Sequence, residues 1–500
     1  MPDNKLIISK INEVYAHVKC EKDIAKELHE FFSFMVPGHQ FVPAFRNRIW
    51  DGKIRLFNLQ TSQIYLGLLS YIEEFCKERD YTFEYADNLD TTDDYPVYHA
   101  TKFFEYLDLH SREKKIEVRD HQRDAFIHIM RNRRGLLLSP TASGKSLIIY
   151  LLFRQLLDYQ NLKGLIIVPT TSLVSQLYSD FEDYSSETDF DVDSHVHYVF
   201  QGRDKVSEKK LIISTWQSIY KMPKEYFEQF DYVIGDECHL FKAQSLQYIM
   251  SSLINTKYRI GLTGTLDGTK THKLILEGVF GKVKQVTTTK ELIDKNQLSP
   301  FTIKCLILKH SDECCEQVSE MTYQEEIEYL ILNEQRNKFI KNLAISLEKN
   351  TLVLFQLVDK HGKNLYNIIK SSEKIGDRKV FFVHGGVETS DRENIRKIME
   401  IENNAIIIAS FGCFSTGTNI RNLHNIIFAS PSKSRIRNLQ SIGRGLRQSE
   451  GKEIATLYDI ADDLRHNKYM NFTLKHFIER CRIYNEEKFP FKIYKIGLKK

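Results

Sequence analysis

Gly135-Leu136-Leu137-Leu138-Ser139-Pro140-Thr141-Ala142-Ser143-Gly144-Lys145-Ser146-Leu147-Ile148-Ile149-Tyr150 passes from an apolar run through a turn of small residues into a second apolar run. The order reads as strand, loop, helix. A loop of small residues lets backbone N–H groups wrap an anion, and the N-terminus of the following helix adds partial positive charge. Thr141, Ala142, Ser143 and Gly144 would form such a cradle, with Lys145 reaching the β- and γ-phosphates of a nucleotide and the Ser146 hydroxyl holding Mg²⁺. Ser139 stands where the phosphate-loop pattern G-x-x-x-x-G-K-[ST] has its first glycine. A Gly-Lys-Ser tripeptide alone fits an ordinary strand-to-helix turn equally well. The strand–helix context is what favours the nucleotide.

Outward from this turn, short β-branched runs alternate with helical periods. Candidate strands cover 135–138, 164–168, 211–214, 232–234 and 259–262, and a second series covers 351–355, 379–383, 405–409, 425–428 and 454–458. Strands separated by helical stretches signal a parallel sheet with crossover helices. Two α/β domains of similar plan are therefore expected in tandem, joined near Leu298-Ser299-Pro300, with no short sequence repeat between them. Upstream, residues 1–95 read as a small mixed α/β domain: an apolar strand at 6–11, a helical period at 21–34 stopped by Val36-Pro37-Gly38, and a turn-rich acidic stretch at 88–94 as the boundary. The expected division is 1–95, 96–299, 300–465 and a basic tail at 466–500.

Composition excludes several classes. At 500 residues the chain is long enough for about three domains. Its 42% hydrophobic and 27% charged residues suit a globular protein, not a low-complexity one. No stretch approaches the roughly 18–20 apolar residues needed to cross a bilayer, so no membrane partner is expected. Residues 1–10 lack a secretory pattern, which points to an intracellular protein. None of the eight cysteines has C-x-x-C spacing, so reduced, mostly buried thiols are expected. A net charge of +4 is no nucleic-acid signature by itself, but a basic stripe can hide in a neutral total. Between 41 and 55, Arg46, Arg48, Lys53 and Arg55 face only Asp51 and are interleaved with Phe41, Phe45 and Trp50. That mixture suits phosphate contact plus base stacking, making Arg46, Arg48, Trp50 and Lys53 candidate nucleic-acid contacts. A small core with a basic rim is the plainer reading.

Two further clusters carry chemistry. Tyr232-Val233-Ile234-Gly235 runs into Asp236-Glu237-Cys238-His239. Two carboxylates at the end of a buried strand are costly unless they meet a cation or a proton donor. Asp236 is expected to bind Mg²⁺, and Glu237 to act as general base on the attacking water. Gln440-Ser441-Ile442-Gly443-Arg444-Gly445-Leu446-Arg447 places two arginines three apart, on one face if helical. Their guanidinium forks suit the spread charge of a γ-phosphoryl in transfer.

Together and in this order, residues 115–460 resemble a superfamily 2 helicase or translocase motor. The resemblance implies two RecA-like domains and ATP as cofactor. Val118-Arg119-Asp120-His121-Gln122 resembles the adenine-sensing element, which implies nucleotide roles for Arg119 and Gln122. Pro169-Thr170-Thr171 and Ser214-Thr215-Trp216-Gln217 resemble strand-binding motifs, so Pro169, Thr170, Thr215 and Trp216 would touch nucleic acid. Phe355-Gln356 and His384-Gly385-Gly386 resemble second-domain motifs, with Phe355 a further nucleic-acid contact. Ala409-Ser410 through Thr416-Gly417-Thr418-Asn419 resembles the motif touching both ligands, with Ser410 on the strand and Gly417 and Asn419 on the nucleotide. The family commonly carries an acidic residue where Asn419 stands. Thr263-Gly264-Thr265, with His239 and Gln440, resembles the coupling machinery between hydrolysis and movement. Ahead of the motor, Phe45-Arg46-Asn47-Arg48 and Trp50-Asp51-Gly52-Lys53-Ile54-Arg55-Leu56-Phe57 resemble the UvsW family of phage recombination helicases. That resemblance implies an ATP-dependent DNA helicase acting on single-stranded and branched DNA (forks, four-way junctions, R-loops with their RNA–DNA hybrids) in recombination, repair and replication restart, in the cytoplasm of an infected bacterium. Protein partners are not readable. An ATP-dependent RNA helicase and a non-motor P-loop nucleotide-binding protein are the other readings.

Overall fold

Strands that are apolar along their whole length can be satisfied only when both faces of their sheet are covered. Two such sheets organise this protein, seen in a computed structural model that describes residues 4–90, 92–199, 204–241, 243–415, 420, 422–430, 434, 442–443 and 454–498. The chain divides into two compact units, residues 1–139 with 144–286, and residues 140–143 with 287–500.

The first unit begins with strands β1 (Lys5–Lys10), β2 (Tyr15–Lys19), β3 (Ser33–Met35), β4 (Lys53–Arg55), β5 (Phe57–Asn58), β6 (Gln63–Tyr65) and β7 (Thr82–Tyr85). Five of them form a mixed sheet in the order β5-β6-β2-β1-β7, parallel only between β1 and β7. Period-two alternation buries Leu6, Ile8, Ala16 and Val18 against Ile24, Leu28, Ile72 and Phe75 of two helices, Lys22–Phe31 and Leu69–Glu78. The pair β3–β4 stands apart and carries the excursion of residues 36–52. This sheet is no detached module. Leu274 and Ile275 of helix Lys270–Phe280 complete its core. Gly67 lies so close to that helix that a Cβ would sit 2.0 Å from the Glu277 carbonyl oxygen. The fully buried Glu277 carboxylate accepts from Tyr71 Oη at 2.6 Å and from the Val283 amide at 2.8 Å.

After a short hairpin, β8 (His110–Ser111) and β9 (Lys114–Lys115), come β10 (Arg134–Leu138), β11 (Gly164–Val168), β12 (Val196–Val199), β13 (Leu211–Thr215), β14 (Tyr232–Gly235), β15 (Tyr258–Thr263) and β16 (Val283–Gln285). They form an all-parallel sheet in the order β12-β13-β11-β14-β15-β10-β16. Helix Lys145–Asp158, opened by the small-residue turn, is buried from Leu147 to Leu157.

The second unit repeats this plan with β17 (Phe301–Lys309), β18 (Thr351–Phe355), β19 (Val380–Val383), β20 (Ile406–Ser410), β21 (Asn425–Phe428), β22 (Ala455–Asp463) and β23 (Phe491–Gly497). Its all-parallel order, β19-β20-β18-β21-β22-β17-β23, matches that of the first sheet strand for strand. The chain thus has the expected class: two tandem RecA-like parallel-sheet domains behind a small mixed α/β domain. One expectation needs correction. Residues 466–500 were read as a basic tail, yet they supply helix Phe472–Glu486 and the edge strand β23, paired with β17 over seven residues. Lys492 and Lys495 stand on a largely exposed edge strand, which hid it. Residues 287–300 likewise belong with the second unit, where Leu292 and Leu298 join the core.

Beneath the second sheet, His361 is fully buried between Asn337 Oδ1 (3.1 Å) and Ser430 Oγ (3.0 Å). Burial, reinforced by the nearby Arg336 guanidinium, lowers its pKa to about 3. An unfolded histidine titrates near 6.5, so between those values the unfolded chain binds a proton that the folded one refuses. Stability from this site is complete above pH 6.5 and is lost at about 1.4 kcal/mol per pH unit as pH falls toward 3. Urea melts between pH 7 and 4 should show this slope, and His361→Gln should flatten it.

Candidate nucleotide and nucleic-acid sites

Strand order sets the small-residue turn and the acidic pair along one sheet edge. β15 lies between β10 and β14, so Thr263-Gly264-Thr265 at its carboxyl end sits between the turn after β10 and the acidic pair after β14. Ligands of open parallel sheets bind at this edge. Within the turn, Ala142 and Gly144 adopt left-handed φ values of 66° and 84°, and Ser143 Oγ donates to the Pro140 carbonyl at 2.7 Å. The Ser139 amide donates to the Thr263 carbonyl at 2.9 Å, tying the start of the turn to the end of β15. Such a turn, followed by a helix of 14 residues, is a fit for phosphate.

Lys145 Nζ lies 3.1 Å from Glu237 Oε1 and 3.4 Å from the Ser139 carbonyl oxygen. Ser146 Oγ shares a hydrogen bond with Tyr184 Oη at 2.8 Å. Glu237 itself holds φ of 46°, a left-handed value rare outside glycine and one that collects at functional positions. Burial works against ionising Glu237, but the charge of Lys145 beside it prevails and lowers its pKa. The adjoining Asp236 goes the other way. Burial, then the charge of Glu237, push its carboxyl up to about 7, against the pull of Lys145. The two neighbours are thus pushed in opposite directions, Glu237 toward the carboxylate and Asp236 toward holding a proton, the separation expected of two acids crowded together. The hydroxyl of Ser146 and the carboxyl of Asp236 are hard oxygen donors. They suit Mg²⁺, which takes few protein ligands and completes its shell with phosphate and water.

From Glu237 a polar chain continues to the coupling motif. His239 Nδ1 lies 3.4 Å from Glu237 Oε2 and 2.6 Å from Thr263 Oγ1, and Thr263 Oγ1 donates to the Thr265 carbonyl at 2.8 Å. The Gly264 amide points at Glu237 Oε2 from 3.5 Å. Burial lowers the His239 pKa to about 4, so the ring is neutral and passes hydrogen bonds rather than charge. Sequence spacing gave no sign that this chain is continuous. Nor did it reveal what holds Gln122. Its Oε1 accepts from the Arg119 amide at 3.0 Å and its Nε2 donates to the Gly144 carbonyl at 3.3 Å. A Cβ at Gly144 would lie 2.2 Å from that nitrogen. The side chain expected on an adenine edge braces the phosphate turn as folded. Arg119, half-buried beside it, has its pKa lowered by burial.

The nucleic-acid candidates divide. Pro169 and Thr170 follow β11, Thr215 ends the neighbouring β13 with Trp216 just after it, and Gln217 Nε2 joins the two segments by donating to the Pro169 carbonyl at 3.1 Å. Thr170 Oγ1 caps the next helix through the Leu173 amide, and Thr215 Oγ1 meets Ser218 Oγ at 2.9 Å. Trp216 and Phe355, both expected to touch nucleic acid, turn their rings inward. Trp216 is buried in the core beside Tyr220, and Phe355 is fully buried with its ring stacked on Phe382 at 5.6 Å. Each aromatic closes a core at the end of an inner strand, so neither ring is available for stacking on a base. Ser410 is also buried, its hydroxyl accepting from the Cys413 amide at 3.4 Å. Arg46, Arg48 and Lys53 are exposed and Trp50 is half-buried, all within or beside the 36–52 excursion. Gly417, Asn419, Gln440, Arg444 and Arg447 lie outside the described residues.

Three family models match the chain: DNA helicase UvsW, N-terminal, over residues 8–86; Type III restriction enzyme, res subunit, over 115–268; and Helicase conserved C-terminal domain over 334–449. The ATP-dependent DNA helicase uvsW of Enterobacteria phage T4 is 35% identical over 505 residues, covering 97% of this chain and 98% of that protein. The crystal structure of T4 UvsW aligns over 99% of this chain and 100% of its own with a TM-score of 0.53 and 33% identity. A DNA 3'-5' translocase, XPB2 of Sulfurisphaera tokodaii, is 27% identical over 40% of this chain and 42% of its own length. With both the motor and the N-terminal domain matched along nearly the whole length, the chain belongs to the family of the ATP-dependent DNA helicase UvsW.

Proposed function

We propose that this ATP-dependent DNA helicase remodels branched DNA: forks, four-way junctions and R-loops, including their RNA–DNA hybrids. Family membership carries the helicase activity and ATP use. The observation that supports a motor most directly is the unbroken polar chain Lys145–Glu237–His239–Thr263, which joins the phosphate turn to the coupling motif. Among the described residues no helix is long and apolar enough to cross a membrane. The cytoplasm of an infected bacterium is the proposed setting.

In this reading Lys145 and the turn 141–144 hold the β- and γ-phosphates. Ser146 and Asp236 hold Mg²⁺, which when bound neutralises phosphate charge. Glu237, ionised beside Lys145, orients and deprotonates the attacking water. Arg119 and Gln122 face the base, Gly417 and Asn419 the rest of the nucleotide. Arg444 and Arg447 supply guanidinium charge to the γ-phosphoryl as it transfers. A change at the γ-phosphate moves Glu237, and His239 passes the shift to Thr263, Gly264 and Thr265, with Gln440 on the second domain. Pro169, Thr170, Thr215 and Ser410 grip the DNA backbone through their loops, a contact with little sequence preference and strong salt dependence.

Three outcomes test this. Lys145→Ala should lower ATP turnover by about 10²–10³ or more with the DNA affinity retained, since a charge on the transferring group is lost. Normal hydrolysis would remove the phosphate-turn assignment. Arg447→Ala should leave nucleotide affinity nearly intact and cut turnover by about 10³–10⁵; a loss confined to ATP binding speaks against it. Because burial and the neighbouring Glu237 charge raise the Asp236 pKa, protons compete with the cation for its carboxyl. The half-saturating Mg²⁺ concentration should therefore rise as pH is lowered. ATPase titrations from pH 5.5 to 8.5, with single-stranded DNA, fork, junction and RNA as cofactors, measure this and the substrate preference together.

A further inference from the structure

The 36–52 excursion is closed at its neck, where the Val36 amide donates to the Gly52 carbonyl at 2.8 Å. Gly38 and Gly52 take left-handed φ values of 75° and 80°, and a Cβ on Gly52 would lie 3.0 Å from the His39 ring. That ring sits edge-on to Phe45 at 4.6 Å. Arg46 Nε donates to the Gln40 carbonyl at 3.1 Å, and Trp50 Nε1 donates to the Lys53 carbonyl at 2.9 Å. The segment is thus braced by its own contacts, yet it presents Phe41 68% exposed and Ile49 79% exposed. Exposed apolar side chains on a braced loop mark a contact surface more often than a packing accident.

Charge narrows what the surface contacts. Asp51 is held bidentate by Arg55, one bond being 3.2 Å from Nη1 to Oδ1. Among the described residues Arg46, Arg48 and Lys53 have no ion-pair partner. An open cavity of about 930 Å³ is lined by Phe45, Arg46, Arg48, Ile49 and Trp50, with the paired Asp51 and Arg55 in its wall. The Trp50 N–H is already satisfied by backbone, so what the indole offers is its apolar face. Aromatic faces beside unpaired guanidiniums match a nucleotide, whose base has a π-face and whose phosphate is an anion. An acidic peptide would answer the arginines but not the exposed Phe41 and Ile49.

We infer that this excursion is a base-holding wedge: the cavity at Trp50 and Phe45 takes one unpaired base of DNA at a branch point, Arg46 and Arg48 take its phosphates, and Ile49 with Phe41 packs on the base pair left behind. The inference rests on the DNA-helicase reading and names the structural feature of the substrate that the N-terminal domain senses.

The test uses the full chain and a DNA fork carrying 2-aminopurine at the first unpaired position, with the same label in a linear single strand as control. Binding should change the fork fluorescence through stacking on Trp50 and Phe45. Trp50→Ala and Ile49→Asp should each weaken fork binding about tenfold, as loss of one stacked base predicts, with a smaller loss on the single strand. Trp50→Phe should restore most of the signal. Arg46→Ala with Arg48→Ala should reduce the salt slope of fork binding by about two. Thermal melts guard against misfolding, and Ile49, being exposed, is the variant least able to perturb the fold. Fork affinity and fluorescence that stay at wild-type levels in Ile49→Asp and in the double arginine variant overturn the wedge. ATPase in the wild type that no DNA stimulates overturns the helicase reading instead.

Discussion

Two carboxyl groups adjoin at the end of β14, a strand buried at every position. Left alone, a buried pair of negative charges costs several kcal/mol per ion. Lys145, 3.1 Å away, resolves this for Glu237, while burial and that neighbouring charge raise the pKa of Asp236. The rest of the first RecA-like sheet follows from keeping that arrangement in place. The lysine must open a helix, the acids must end a strand, and both elements must meet across β15. Closing the shell with a neutral His239 lets a hydrogen-bonded path leave the site without adding another charge to it.

The same constraint explains why the N-terminal domain is built into the first motor domain instead of tethered to it. Helix Lys270–Phe280 follows the coupling motif, and on its other side it meets Gly67, Tyr71 and the core of the mixed sheet. Glu277 is fully enclosed with its carboxylate shared between Tyr71 and the Val283 amide. A helix that follows Thr263-Gly264-Thr265 is thereby part of the mixed sheet's core. Arg259, at the start of β15, strengthens the frame. Its guanidinium is buried against the carbonyls of Met250, Leu253 and Val279, the carboxyl ends of two helices, where helix dipoles favour a cation.

Much of this was legible without coordinates. Strand 164–168 is apolar at every position, which only a two-faced parallel sheet accommodates, and the turn 139–146 has the composition that phosphate binding demands. What misled was exposure. Trp216 and Phe355 adjoin polar motif residues in sequence, and nothing local says that their rings turn inward to finish a core. The lysines of β23 read as a solvated tail because an edge strand has one side open, and its pairing with β17 lies nearly two hundred residues away in sequence. Gln122 carries two donors and an acceptor whatever the fold, but its assignment to Gly144 needs the strand and the helix set side by side.

Sequence by itself determined the class of enzyme and the order of the phosphate-loop turn, lysine and acidic pair, because such parts must occur as residue types at short spacings for backbone geometry to present them. Tertiary structure decided which of those parts touch. Strand order inserts β15 between β10 and β14, a choice made by packing of crossovers over the whole sheet, and so decided that Lys145, Glu237, His239 and Thr263 form one connected path. It also decided that an arginine-rich segment near the N-terminus stands out from its domain with its apolar residues facing water, since burial is a property of the assembled chain and no residue carries it alone.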